Sequence, residues 1–395
     1  MIEAIKRNIK YLHGSQWLSI FGLVLLFVAL RWNNYNAPLI SDEGEIEYSA
    51  QLLIQGIAPY QHAFIQKPPG VVYSYALANL LLPQCFWAPR LIAYIFVALA
   101  TVLLGFIARL EFGKGFALPA MWLVTPMLLL PGIDQFSCNP EMFLVFPLLS
   151  TIAVYSYSRQ HGHKNFHWFA GGFLAATTLV FKYTALPILA FVFFVWLIEM
   201  CQSDKKISSI CKRLIFGIAG GILACVLELA FYVIHHALNS VWECTVLFNK
   251  YYVASGVFSQ AYFWSEIKVF WDNWWILFLV PFAIFLQPQR RIWFWFAVFI
   301  FALLAASGSC YPQYYILIMP FWALLSSVGI RALASKICEK MAKRLPWLGN
   351  LVAVIVVLLV IRPDAAWICF SSEKFAEMKM EGYPFREAQV VADQV

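Results

Sequence analysis

The chain has 395 residues, of which 62% are hydrophobic, 17% aromatic and only 12% charged, about half the charged share of a typical soluble domain. Neither a soluble globular enzyme nor a disordered chain fits that composition, and continuous apolar runs, rather than runs alternating with period two, favour membrane-spanning helices over a β-barrel. The formal charge of +7 comes from 28 basic and 21 acidic residues; nucleic acid is not implied, and the nine cysteines contain no CxxC pair, so neither a zinc site nor a disulfide framework is indicated.

In chain order, Lys6, Arg7 and Lys10 precede a first apolar run at 17–30, and the basic flank assigns them to the cytoplasm, so that the first helix exits outward. Further runs lie at 90–108, 116–131, 142–157, 168–182, 183–199, 214–234, 274–286, 292–307, 314–329 and 346–361, about 11 candidate spans in all. The basic clusters at Arg109/Lys114, Arg159/Lys164, Lys205 to Arg213, Arg290/Arg291 and Arg331 to Arg344 all fall inside if the short stretch 68–82 lies as a helix at the outer interface. The expected architecture is an all-α polytopic membrane protein with outer-face interfacial helices. A membrane domain of residues 1–361 has outer loops 31–89, 131–141 and 235–273, and a polar tail, 362–395, reads as the start of a small extracytoplasmic domain.

The first outer loop carries four carboxylates, Asp42, Glu43, Glu45 and Glu47, within six positions. A helix start accounts for part of this, with Ser41 or Asp42 as cap and acids at the positive end of the dipole. It does not account for the Gly56-x-x-Pro59-Tyr60 turn, nor for Lys67-Pro68-Pro69 after it, which returns a lone lysine to the boundary. Carboxylate and lysine together suit a reaction in which an acceptor loses a proton and a phosphate leaves.

Asp42-Glu43, Gly-x-x-Pro-Tyr and Lys-Pro-Pro together resemble the GT-C glycosyltransferases, specifically the bacterial relatives of protein O-mannosyltransferases and the lipid A aminoarabinose transferase. The likeness extends over about 330 residues: Asp134 and Glu141 match an acidic second outer loop, Lys182 a lysine-bearing helix, and Tyr314 and Tyr315 an aromatic pair, whereas Gln313 stands where many relatives have histidine. The resemblance implies a transferase that takes a sugar from a polyprenyl-phosphate donor at the outer, periplasmic face of a bacterial inner membrane and passes it with inversion to a lipid, glycan or protein. In that reading Asp42 is the general base, Lys67 and Lys182 hold the donor phosphate, and Glu43 and Glu141 suit either magnesium or manganese, or hydrogen bonds to sugar hydroxyls. Asp134 and Tyr315 join the substrate-binding set.

Other residues carry plainer expectations. His161, His163 and His167 read as a polar connector, His235 and His236 as an interface pair, and Glu228 as a groove-lining or helix-pairing acid. Trp264, Trp271, Trp274 and Trp275 read as an aromatic girdle. The rival function is a transporter or flippase of a polyprenyl-linked saccharide, which calls for paired broken helices near the midplane; here the acids and the two lysines collect on one face. A scaffold in an envelope assembly needs no clustered acids.

Overall fold

A computed structural model describes residues 14–129 except 35–36 and 84, residues 137–254 except 205, and, with interruptions, 264–379. Among the described residues every regular element is a helix. The α-helices are α1 (Gly14–Ala29), α2 (Ser41–Ile54), α3 (Pro59–His62), α4 (Pro69–Leu81), α5 (Ala88–Phe112) and α6 (Ala117–Leu129). They continue as α7 (Pro140–His161), α8 (Asn165–Phe181), α9 (Leu186–Ser203), α10 (Ile207–Ile234), α11 (Leu238–Trp242) and α12 (Phe248–Ala254). The last described are α13 (Arg290–Ser307), α14 (Met319–Ile337), α15 (Leu348–Ile361), α16 (Ala365–Cys369) and α17 (Ser372–Lys379).

Among the described residues four segments, Ala88–Phe112, Pro140–His161, Tyr183–Ser203 and Ile207–Ile234, are long and apolar enough to cross a membrane, and shorter apolar helices occupy the other expected spans. At 1.5 Å per residue the 25 residues of α5 reach roughly 37 Å, more than the hydrocarbon thickness. The 13 residues of α4 reach only roughly 20 Å, too short to cross, and bury Val71, Val72, Tyr75, Ala76 and Ala78 against the bundle.

Short connections turn the chain back between α5 and α6, α7 and α8, α8 and α9, and α9 and α10. The start of α7, the end of α8 and the start of α9 therefore share one end of the bundle. The tightest helix pair is α8 with α10. A Cβ on Gly172 would sit 1.9 Å from the Gly217 carbonyl oxygen, and one on Gly220 would sit 2.0 Å from that of Phe169, so only glycine permits this approach.

The opposite end is fastened by a network of charge. Glu111, at the end of α5 and with its side chain fully buried, receives Arg291 Nε at 2.5 Å and Arg159 Nη2 at 3.2 Å. Arg291 also reaches Glu199 Oε1 at 3.2 Å and donates to the Tyr155 hydroxyl at 2.7 Å. Four helices, α5, α7, α9 and α13, are thereby pinned together with each buried charge paired, the condition under which burying charge is tolerated.

The described residues after α15 contact the segment that follows α1. Asn33 Nδ2 donates to the Trp367 and Phe370 carbonyls at 2.6 and 3.1 Å, Trp32 Nε1 donates to Ile368 O at 2.9 Å, and Phe375 is buried with Ala37.

Candidate active site

The segment between α1 and α5 is built on a buried ion pair. Glu43, in the first turn of α2, has no exposed surface and takes Arg90 in a fork, Nε to Oε1 at 3.2 Å and Nη2 to Oε2 at 2.9 Å. The same carboxylate accepts the Ile40 and Cys138 backbone N–H groups at 3.0 and 2.9 Å. Arg90 in turn donates to the carbonyls of Asn34, Ala37 and Pro38. One side-chain pair thus joins the segment before α2 to the residues before α7, and it sets where the neighbouring Asp42 and Asn139 stand.

The Gly-x-x-Pro-Tyr motif has a physical purpose. Gly56 turns the chain with φ of +76°, a conformation that only glycine adopts without strain, and Pro59 opens α3. Tyr60 is then buried and donates its hydroxyl to the Lys67 carbonyl at 2.7 Å, with burial holding the phenol well above its ordinary pKa, so that it remains a donor. On the far side, a π-helical turn, Glu243–Leu247, leads into α12, whose Asn249 amide donates to the Gln66 and Thr245 carbonyls at 2.8 Å each. The lysine loop is held from both sides.

These supports surround a cavity of about 600 Å³, whose walls include Asp42, Lys67, Asn139, Glu141, Lys182, Thr184, Asn249, Gln313 and Tyr314. Lys67 Nζ lies 3.3 Å from Asp42 Oδ1 and 2.9 Å from Glu45 Oε2. Lys182, at the end of α8, is paired with Glu141 of α7 and sits 3.5 Å from the centroid of the Tyr314 ring. Two acid–lysine pairs from segments far apart in the chain therefore face one space. Of the residues singled out from sequence, Asp42, Lys67, Glu141 and Lys182 line it together, with Tyr314. Glu43 does not line it, being enclosed against Arg90, and Tyr315 is buried outside it. Asp134 lies outside the described residues.

Sequence reasoning did not single out Asn139 or Thr184, and an Asn-Pro at the head of an apolar run is the signal that marks the first. Nor did it single out Arg90, which stands at the first position of an apolar run. The remaining candidates lie elsewhere. His163 accepts the Trp196 indole N–H at 3.1 Å, and His161 and His167 contact the Tyr157 and Gly162 carbonyls, both at 3.0 Å, so the three serve the loop. Glu228 lies on α10 outside the cavity, where Tyr73 donates to its backbone carbonyl at 2.7 Å. Trp264, Trp271 and Trp275 are exposed, and Trp274 lies outside the described residues.

For a divalent cation the fit is poor. Among the described residues no three His, Cys, Asp or Glu side chains come together, and each cavity carboxylate is already met by a lysine. The chemistry derived from this cavity therefore runs through its side chains.

Neither a protein-family model nor a curated protein matches the sequence. Solved structures match in fold. The chain is similar to ArnT from Cupriavidus metallidurans bound to undecaprenyl phosphate, with a TM-score of 0.54 and 13% identity over 90% of this chain and 80% of that one. It is also similar to the archaeal oligosaccharyltransferase AglB from Archaeoglobus fulgidus in complex with an inhibitory peptide and a dolichol-phosphate, with a TM-score of 0.53 and 10% identity over 92% of this chain and 56% of that one. A structure of the Archaeoglobus fulgidus oligosaccharyltransferase with Zn and sulfate gives a TM-score of 0.51 at 12% identity, over 89% of this chain and 53% of that one. The chain spans just over half the length of the oligosaccharyltransferase. At these identities the likeness is one of fold alone, a polytopic helical architecture shared with ArnT and the oligosaccharyltransferase.

Proposed function

We propose that the chain is a glycosyltransferase which moves a sugar from a polyprenyl-phosphate donor to an acceptor at the outer face of a bacterial inner membrane. The observation that carries this reading is the single cavity in which Asp42 with Lys67 and Glu141 with Lys182 converge. Support comes also from the fold neighbours, of which one is bound to undecaprenyl phosphate and another to a dolichol-phosphate and a peptide.

In the mechanism, the donor phosphate takes Lys67 and Lys182 from their carboxylates, exchanging one charge-assisted contact for another. Asp42, relieved of Lys67, is then free to accept a proton. The acceptor oxygen forms a bond to the sugar's anomeric carbon as the bond from that carbon to the phosphate oxygen breaks. The electron pair leaves with polyprenyl phosphate, whose charge the lysines stabilise, and the acceptor's proton passes to Asp42. Where the acceptor is itself an ionised phosphate, Asp42 only orients it. Glu43, paired to Arg90, positions the loop that carries the base.

Lys67→Met and Lys182→Met should each weaken binding of free polyprenyl phosphate to the protein in nanodiscs, and Lys→Arg should restore it only in part, because the planar guanidinium presents its donors differently. Unchanged affinity in both Met variants would remove the phosphate clamp. Mass spectrometry of envelope lipids and glycans from cells with and without the protein, seeking a difference of one sugar, identifies donor sugar and acceptor together.

A further inference from the structure

Among the described residues, three polar atoms on the cavity wall are buried and have no hydrogen-bond partner: Asn139 Oδ1, Glu141 Oε2 and Thr184 Oγ1. Asn139 is 2% exposed and Glu141 fully buried. Such groups are ordinarily satisfied, and an orphaned one keeps its desolvation penalty uncompensated. Three orphans on one cavity wall point to a ligand that supplies the missing partners.

The local geometry explains why they stay open. Asn139 is the residue before α7, a position where asparagine commonly caps the helix, yet it makes no side-chain cap. Its amide instead donates to Ser137 Oγ at 2.9 Å, leaving the carbonyl oxygen without a donor. Two residues on, Glu141 gives Oε1 to Lys182 and keeps Oε2 unfilled. Thr184 belongs to the short turn that carries the chain from Lys182 into α9.

The chemistry of the ligand is set by these three atoms. Two of them only accept, so an anion is repelled and the phosphate belongs with the lysines. An aliphatic tail offers no hydrogen-bond donor. A neutral group bearing several hydroxyls satisfies all three, because a hydroxyl donates to Asn139 and Glu141 and either donates to or accepts from Thr184. Because Glu141 stands beside Lys182, the group that meets its open oxygen is the one bonded directly to the phosphate that Lys182 contacts.

We propose that Asn139, Glu141 and Thr184 form a subsite that reads hydroxyls of the sugar carried by the donor phosphate, and that this subsite, not the lysine pair, decides which glycosyl phosphate is accepted. The inference rests on the reading of Lys182 as a phosphate contact. Losing a hydrogen bond to a charged or fully buried acceptor corresponds to roughly 10- to 100-fold in affinity.

The test is a binding comparison in nanodiscs between bare polyprenyl phosphate and the same lipid bearing glucose, mannose, galactose or arabinose. In the wild type, at least one sugar-bearing lipid should bind more tightly than the bare one. Asn139→Leu and Thr184→Val should each reduce that advantage, by roughly 10- to 100-fold for Asn139→Leu, while leaving the affinity for bare polyprenyl phosphate unchanged. The two substitutions lie on different elements, so a folding defect in one leaves the other as the reporter. The proposal is overturned by the absence of any sugar advantage, by an advantage that survives both substitutions, by equal weakening of the bare lipid, or by an advantage that exists only with added magnesium or manganese. Bare lipid binding that ignores Lys67→Met and Lys182→Met defeats the phosphate reading. Lysine-dependent binding without sugar discrimination defeats the subsite alone.

Discussion

Replacing Arg90 by methionine tests whether Glu43 is part of the frame. Methionine keeps the bulk and removes the charge, leaving a carboxylate with no exposed surface beside the Ile40 and Cys138 N–H groups but without its counter-ion, and taking a donor from the Asn34, Ala37 and Pro38 carbonyls. Removing one partner of a buried pair costs about 3–5 kcal/mol. The melting temperature falls about 2–4 °C per kcal/mol in domains of 150–250 residues and less in a longer chain, so a drop of roughly 5–10 °C is expected in nanodiscs. Arg90→Met combined with Glu43→Leu should melt higher than Arg90→Met alone, because exchanging a whole buried pair for apolar groups is often neutral. Wild-type melting of Arg90→Met, or a double variant that loses the full sum of the single losses, would show that Glu43 and Arg90 do not act as a buried pair.

Three other outcomes are expected from the fold. Gly220→Ala places a methyl 2.0 Å from the Phe169 carbonyl, a backbone atom that cannot swing aside, so the variant should lose about 1–3 kcal/mol in thermal or denaturant unfolding; wild-type stability would show that α8 and α10 are spaced more widely. His163 is held below the ordinary histidine pKa first by burial and then by Arg213 and His167. The unfolded chain therefore binds a proton near pH 6.5 that the folded chain still refuses, so this contribution is fully present above pH 6.5 and is lost as pH falls toward the lower folded value. Melting against pH should show that acid-side loss, and His163→Gln should flatten it. Cysteines introduced near Asp42, Asp134 and Ser255 should react with an impermeant reagent added from outside, and those near Lys114, Lys206 and Arg290 should not; labelling near Lys114 would invert the topology.

How much of this was legible in the sequence depended on the range of the interaction. Apolar runs are local, and they located the helices, including one at 69–81 too short to cross. The residues gathered in the cavity were legible through motif likeness: nothing in spacing alone places Glu141 on Lys182 or Asp42 on Lys67. Glu43 shows the limit. An acid next to a candidate base at a loop reads as chemistry, and its enclosure becomes visible only with Arg90, 47 residues away. The clamp of Glu111, Arg159, Glu199 and Arg291 was hidden for the same reason, since each looks like a boundary charge until four helices are brought together. The glycines of α8 and α10 read as ordinary membrane-helix residues until the partner backbone is seen.

The central claim is that Asp42 removes a proton in a transfer whose leaving group the two lysines hold. The direct measurement is single-turnover transfer by Asp42→Asn in nanodiscs, with a polyprenyl-phosphate sugar as donor and a neutral hydroxyl acceptor. Donor binding should stay near wild type while the rate falls on the order of 10²- to 10⁴-fold. Full-rate transfer by Asp42→Asn, or movement of the intact lipid-linked sugar across the bilayer with no polyprenyl phosphate released, would contradict it.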